Sequence, residues 1–125
     1  MIGYVTIGAA DVEAALPFFD AVFGAMGGER KSFEGGWALY GDKGGEGDVG
    51  ILKPQDGQAA RAGNGIMIAF KAASHDAVRA THAAALASGG SDEGAPGFRP
   101  PDGTNFYGAY FRDLVGNKFC VYHTP

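Results

Sequence analysis

Hydrophobic and polar positions alternate from Ile2 to Gly8, and this β-branched stretch predicts a strand. The period then changes. Val12, Leu16, Phe19, Phe23 and Met26 recur at three- and four-residue spacing, which lines up one apolar face of a helix. Asp11 is placed to cap that helix, Glu13 suits its first turn, and Gly27-Gly28 ends it. Pro17 lies inside the pattern and should kink the helix or fray its first turn. Three short strands are predicted next, at Glu29 to Phe33, Trp37 to Tyr40 and Asp48 to Lys53, before a turn-rich stretch around Pro54, Asp56 and Gly57.

The same order then returns. Ile66 to Ala72 reads as a strand, Ser74 caps a helix running to about Ser88, and Gly89-Gly90 closes it. Setting Tyr4 on Met67 also sets Asp11 on Ser74 and Gly27 on Gly90, so strand, cap, helix and glycine stop recur in register. A strand near Phe98 and two more at Asn105 to Arg112 and Lys118 to His123 complete a second βαβββ unit. A repeat of this length is a duplicated module rather than a solenoid unit. The expected organisation is one domain: a first module over about 1–56, a linker over about 57–63 and a second module over about 64–125.

Composition narrows the function classes. The chain of 125 residues is 46% hydrophobic and 19% charged, enough for a packed core and unlike a disordered segment. A net charge of −4 supplies no basic stripe for a nucleic-acid backbone. No apolar run is long enough to cross a bilayer, the N-terminus does not read as a signal peptide, and a cytoplasmic location is the expectation. The single cysteine, Cys120, excludes an intrachain disulfide. The 22 glycines fall mostly between periodic segments as turn residues, and none belongs to a phosphate-binding P-loop.

Four pieces of the chain carry a family resemblance: Tyr4-Val5-Thr6-Ile7-Gly8 followed by Asp11; Phe18-Phe19-Asp20; Met67-Ile68-Ala69-Phe70; and the closing run from Tyr110 to Phe119. In the last, Phe111, Asp113, Gly116 and Asn117 follow the ending F-x-D-P-x-G-N-x-[IL]-E. In this order and spacing the chain resembles the vicinal oxygen chelate superfamily, which includes glyoxalase I and bleomycin-resistance proteins, over essentially its whole length. The resemblance implies an α+β fold in which two βαβββ modules form an open, cup-shaped mixed sheet with helices on the convex face. Strand parity then directs Val5, Ile7, Ile66, Ile68, Phe70, Phe119 and Val121 to the helices, and Tyr4, Thr6, Met67, Ala69, Cys120 and Tyr122 to the cup.

Metal-dependent relatives place His, Gln and Glu at the cup-facing positions that correspond here to Tyr4, Met67, Cys120 and Gly50. A phenol, a thioether, one thiol and a glycine make a poor ligand set even for a soft ion, so no metal and no other cofactor is expected. His75 and His82 fall on the second helix, and His123 has the parity opposite to Cys120, so none restores the site. Among the aromatics of the third strand of each module, Trp37 and Tyr110 are assigned to the cup. The candidate ligand pocket is therefore Tyr4, Thr6, Trp37, Met67, Tyr110, Cys120 and Tyr122, with Arg112 and Lys71 as strand-end cations able to meet a ligand carboxylate. No catalytic residue is assigned: Cys120 has no His or Lys partner on its face, and Tyr4 and Tyr122 can donate protons or simply orient a ligand.

Three functions compete. The first is a metal-free binder of a small, partly aromatic or apolar molecule, similar in principle to bleomycin-resistance proteins. The second is an enzyme of glyoxalase, isomerase or lyase type acting on a small oxygenated metabolite, metal-free or with an atypical ligand set. The third is a structural or regulatory module whose cup takes a partner's side chains. A homodimer is expected, since an open cup leaves apolar surface.

Overall fold

The computed structural model describes residues 1–125. Its elements are β1 (Val5–Gly8), α1 (Val12–Ala25), β2 (Gly28–Glu34), β3 (Trp37–Asp42), β4 (Val49–Leu52), β5 (Ile68–Lys71), α2 (His75–Ala87), β6 (Ser91–Phe98), β7 (Tyr107–Arg112) and β8 (Lys118–His123). They form two four-stranded sheets of identical topology, β1-β4-β3-β2 and β5-β8-β7-β6, in which only the β1·β4 and β5·β8 pairs are parallel. The expected α+β fold of two βαβββ modules with open, mixed sheets is the fold observed.

The duplication extends to side-chain detail. The Asp11 carboxylate accepts the Ala14 N–H and the Ser74 hydroxyl accepts the Ala77 N–H, both at 3.1 Å, so each helix starts on the same cap, worth about 1 kcal/mol. Thr6 pairs with Gly50 in the first sheet as Ala69 pairs with Cys120 in the second. Gly50 and Cys120 are thus equivalent positions.

Four details differ from the sequence expectation. Helix α1 runs unbroken through Pro17, whose exposed ring removes one backbone bond from the solvent side without cutting the apolar stripe. The buried face of α1 is wider than one stripe and includes Ala15, Phe18 and Val22, because the helix packs on both modules at once. Strand β5 starts at Ile68, so Ile66 does not reach the helices; it lies 68% exposed in the approach to the strand. Finally, β6 covers all of Ser91–Phe98, a stretch whose Gly94, Pro96 and Gly97 hide it from propensity. It is tolerated as an edge strand with two register irregularities against β7.

The core joins the modules through α1. Phe19 stacks near Phe23 and meets Tyr40 of its own sheet and Phe119 of the other, with ring centroids 6.2 and 6.3 Å away. Phe23 meets Phe70 edge-on at 5.2 Å, and Phe18 approaches Phe111 at 6.3 Å. Inward-facing Ile7, Ala38, Tyr40, Val49, Ile51, Ala109, Phe111, Phe119 and Val121 complete the helix side of both sheets. A second tie comes from the β7–β8 turn. The buried Asp113 carboxylate accepts the N–H groups of Val115, Gly116 and Asn117 at 2.9 to 3.0 Å and the Asn117 side-chain amide at 2.9 Å. That amide also donates to the Gly8 carbonyl at the end of β1. The closing motif is therefore a turn lock whose Asn117 reaches the other module, and Gly116 at φ 105° supplies the left-handed residue it needs.

Candidate functional site

The faces of the two sheets turned away from the helices carry most of the residues expected in the cup, in two clusters. In the first module Thr6, Gly50 and Leu39 are cross-strand neighbours, and Trp37 lies two residues along from Leu39 on the same face. A Cβ added to Gly50 would sit 3.0 Å from the Trp37 ring and 3.8 Å from the Thr6 methyl. The indole therefore covers the glycine, on the position where metal-dependent relatives carry a carboxylate, and it is 43% exposed.

In the second module the row Ala69, Cys120, Tyr110, Gly94 crosses the sheet on the corresponding face. Cys120 is 1% exposed yet stands outside the helix-side core. Tyr110 stands directly across the strand pair from it. Burial holds the Cys120 thiol above its ordinary range, and Tyr110, with the Arg99 and Lys118 charges, only partly offsets this. Burial thus disfavours the thiolate that a nucleophile needs. Iodoacetamide at pH 8 should alkylate folded protein at least about tenfold more slowly than urea-unfolded protein, as followed by intact mass. Equal rates would mean that the sulfur is exposed. Along the same face Tyr122 stacks on Phe106 at 5.0 Å.

The other expected residues lie elsewhere. Tyr4, 66% exposed, lines a cavity of about 350 Å³ between β1 and β5, with Val5, Phe23, Met26, Ile68, Phe70 and Lys71. Met67 precedes β5 and is 43% exposed. Neither Met67 nor Cys120 lines the cavity that Tyr4 lines, so the structure does not bring these three to one cavity. Arg112 is not free for a ligand: it donates to Glu93 at 2.6 Å and to the Gly116 carbonyl at 2.8 Å. Tyr40 and Tyr107 face the helices. The Tyr40 hydroxyl donates to Asp20 at 2.8 Å and burial pushes its phenol well above the usual value, while the Tyr107 hydroxyl accepts from Arg79.

The histidines serve the helix side as well. His75 stacks on Tyr107 at 4.0 Å, His82 contacts Asp92 at 2.9 Å, and His123 Nδ1 donates to the Ala72 carbonyl. No group of three or more His, Cys, Asp or Glu side chains is gathered to hold a metal ion. With no side-chain donor at Gly50, and a phenol, a thioether and one buried thiol at Tyr4, Met67 and Cys120, the donor set at the family's ligand positions does not fit a metal.

Sequence reasoning passed over Arg99 and Lys118. Lys118 carried a readable signal, since it shares the parity of Cys120 and Tyr122. Arg99 carried none, because its position depends on the chain's path after β6.

Topology, paired modules and closing turn define a class of protein, and the comparisons agree. Residues 1–121 match the model of the glyoxalase/bleomycin resistance protein/dioxygenase superfamily, and the chain belongs to that family. A glyoxalase/bleomycin resistance protein from Albidiferax ferrireducens T118 is 37% identical over 96% of both chains, with a TM-score of 0.86. The same fold occurs in a glyoxalase-related enzyme from Fulvimarina pelagi, at 20% identity over 100% of this chain and 88% of that one, TM-score 0.77. It occurs again in TioX from Micromonospora sp. ML1, at 18% identity over 98% and 97%, TM-score 0.64. No curated protein matches the sequence. The chain is a small-molecule-binding protein of this superfamily, with the donor set of a metal-free member. No helix is long and apolar enough to cross a membrane.

Proposed function

We propose that the chain binds a small, partly aromatic or apolar molecule on the cup faces of its sheets, using Thr6, Trp37, Tyr110 and Tyr122 over the buried Cys120, with Tyr4 and Met67 at the margin. The carrying observation is the Trp37 indole laid over Gly50, which sets a half-exposed aromatic plate where metal-dependent relatives hold a metal carboxylate. Such a surface, with a few hydroxyls around it, suits stacking on a planar ligand. Trp37 is the single tryptophan, so its fluorescence reports the site directly. Titration with planar aromatic compounds should change that emission saturably, and Trp37→Ala should weaken binding by about tenfold in calorimetry. Saturable binding that leaves Trp37 emission and the Trp37→Ala affinity unchanged would refute the reading.

The same reading has the chain act in the cytoplasm as a homodimer. Supporting the dimer, β1 and β5 are edge strands without a further strand partner, and each is preceded by exposed apolar residues, Ile2 and Tyr4 before β1 and Ile66 and Met67 before β5. An unpaired edge flanked by apolar side chains favours association. Light scattering at tens of micromolar should give twice the chain mass, and Ile66→Glu should shift it toward monomer; a wild-type monomer at that concentration rejects this state.

A further inference from the structure

We infer that the cup ligand is an anion, and that its carboxylate is held on the second module by Arg99 and Lys118 above Tyr110. This rests on the reading that the ligand occupies the cup faces and adds the ligand's charge and the place where it docks. The Arg99 guanidinium lies 5.5 Å and the Lys118 ammonium 5.7 Å from the Tyr110 ring centroid. Two cations are thus drawn to one ring on the cup face of the sheet. Neither makes a salt bridge, although the Lys118 charge reaches the Glu93 carboxyl that Arg112 holds. Both are half-buried, and both charges reach the Cys120 thiol beside that ring. In a chain of net charge −4, two half-buried cations on one face, neither in a salt bridge, offer counter-charge to an anion.

The backbone is shaped to keep Arg99 there. Its guanidinium folds back along β6, donating to the carbonyls of Ala95 at 2.7 Å and Phe98 at 3.3 Å. A Cβ at Gly94 would lie 3.3 Å from one of its nitrogens and 2.9 Å from the Tyr110 ring, and a Cβ at Gly97 would lie 3.1 Å from the other nitrogen. The glycines make the room in which guanidinium and ring meet. Two backbone bonds fix the fork and leave its remaining N–H groups, with those of Lys118, for a ligand. A planar carboxylate matches a fixed guanidinium fork, and the charge-assisted bonds it forms are roughly twice as strong as neutral ones. Neither helix N-terminus faces this surface, since α1 and α2 both pack on the opposite side, so the backbone dipoles that commonly cradle phosphate are missing here.

Two probes that differ only in charge test this: 2-naphthoate and its neutral amide, 2-naphthamide, titrated calorimetrically into the full chain at low salt. The acid should bind about tenfold more tightly than the amide, and added salt should shrink that preference. In Arg99→Gln/Lys118→Gln the two affinities should become equal while the amide still binds as before. Lys31→Gln/Lys43→Gln, which removes the same charge elsewhere, should keep the preference. Unchanged amide binding shows that the double variant is folded. Equal affinities in the wild type overturn the anion subsite and leave the cup reading standing, as does a preference that survives the double substitution. Binding of neither probe at about 10 mM overturns both.

Discussion

Replacing Phe19 with alanine is expected to remove about 3–5 kcal/mol of stability, most of what a domain of this size commonly has. The ring is 3% exposed and contacts four other aromatic rings drawn from α1, the first sheet and the second. No side chain around it can easily swing in to fill the space, because its neighbours are rigid rings packed along α1 and on strands of both sheets. The cavity term therefore adds to the lost transfer energy. The melting temperature should fall by roughly 10–20 °C. Phe33, 38% exposed on β2, provides the contrast, and Phe33→Ala should stay within about 0.5 kcal/mol of the wild type. Urea unfolding followed by circular dichroism measures both. A Phe19→Ala loss below about 1.5 kcal/mol would mean that the modules do not share this core.

The second large effect belongs to Asp113. Its carboxylate accepts three backbone N–H groups and one side-chain amide in a buried turn, so Asp113→Ala strands several donors at once. Each buried donor without an acceptor costs about 1–3 kcal/mol, and water entering the opened turn recovers part of that. A net loss of about 3 kcal/mol is expected. Asn117→Ala should cost less, about 1 kcal/mol, since it removes only the amide bonds to Asp113 and Gly8. The two substitutions share a network, and the double variant should be clearly less destabilised than the sum. Strict additivity in a double-mutant cycle would show that Asn117 does not depend on Asp113.

These two residues mark what the sequence could and could not disclose. The duplication was legible because it is written locally: Asp11 and Ser74 cap, Gly27 and Gly90 follow the helices, and each signal is a short-range property of the chain. The closing run was legible as a motif, but its work as a tie between modules was not, because the Asn117–Gly8 bond links residues distant in sequence. Phe18 was missed as core for a related reason. A single helical stripe describes a helix with one neighbour, and α1 has two. Strand β6 was obscured by its own glycines, which exist for Arg99 and Tyr110 rather than for β propensity. At the site, strand parity sufficed to put Cys120 and Tyr110 on one face. It could not tell that Tyr4 and Met67 stand just before their strands begin, where alternation no longer fixes direction.

The indole over Gly50 also bears on how this sequence can change. A carboxylate introduced by Gly50→Glu would place its Cβ 3.0 Å from the Trp37 ring, so the half-exposed indole would have to swing aside before the new side chain could settle. Cys120 at the equivalent position of the second module would need a change of its own. A carboxylate on both sheets therefore takes two substitutions, one in each module, and the first of them is coupled by packing to the position of Trp37.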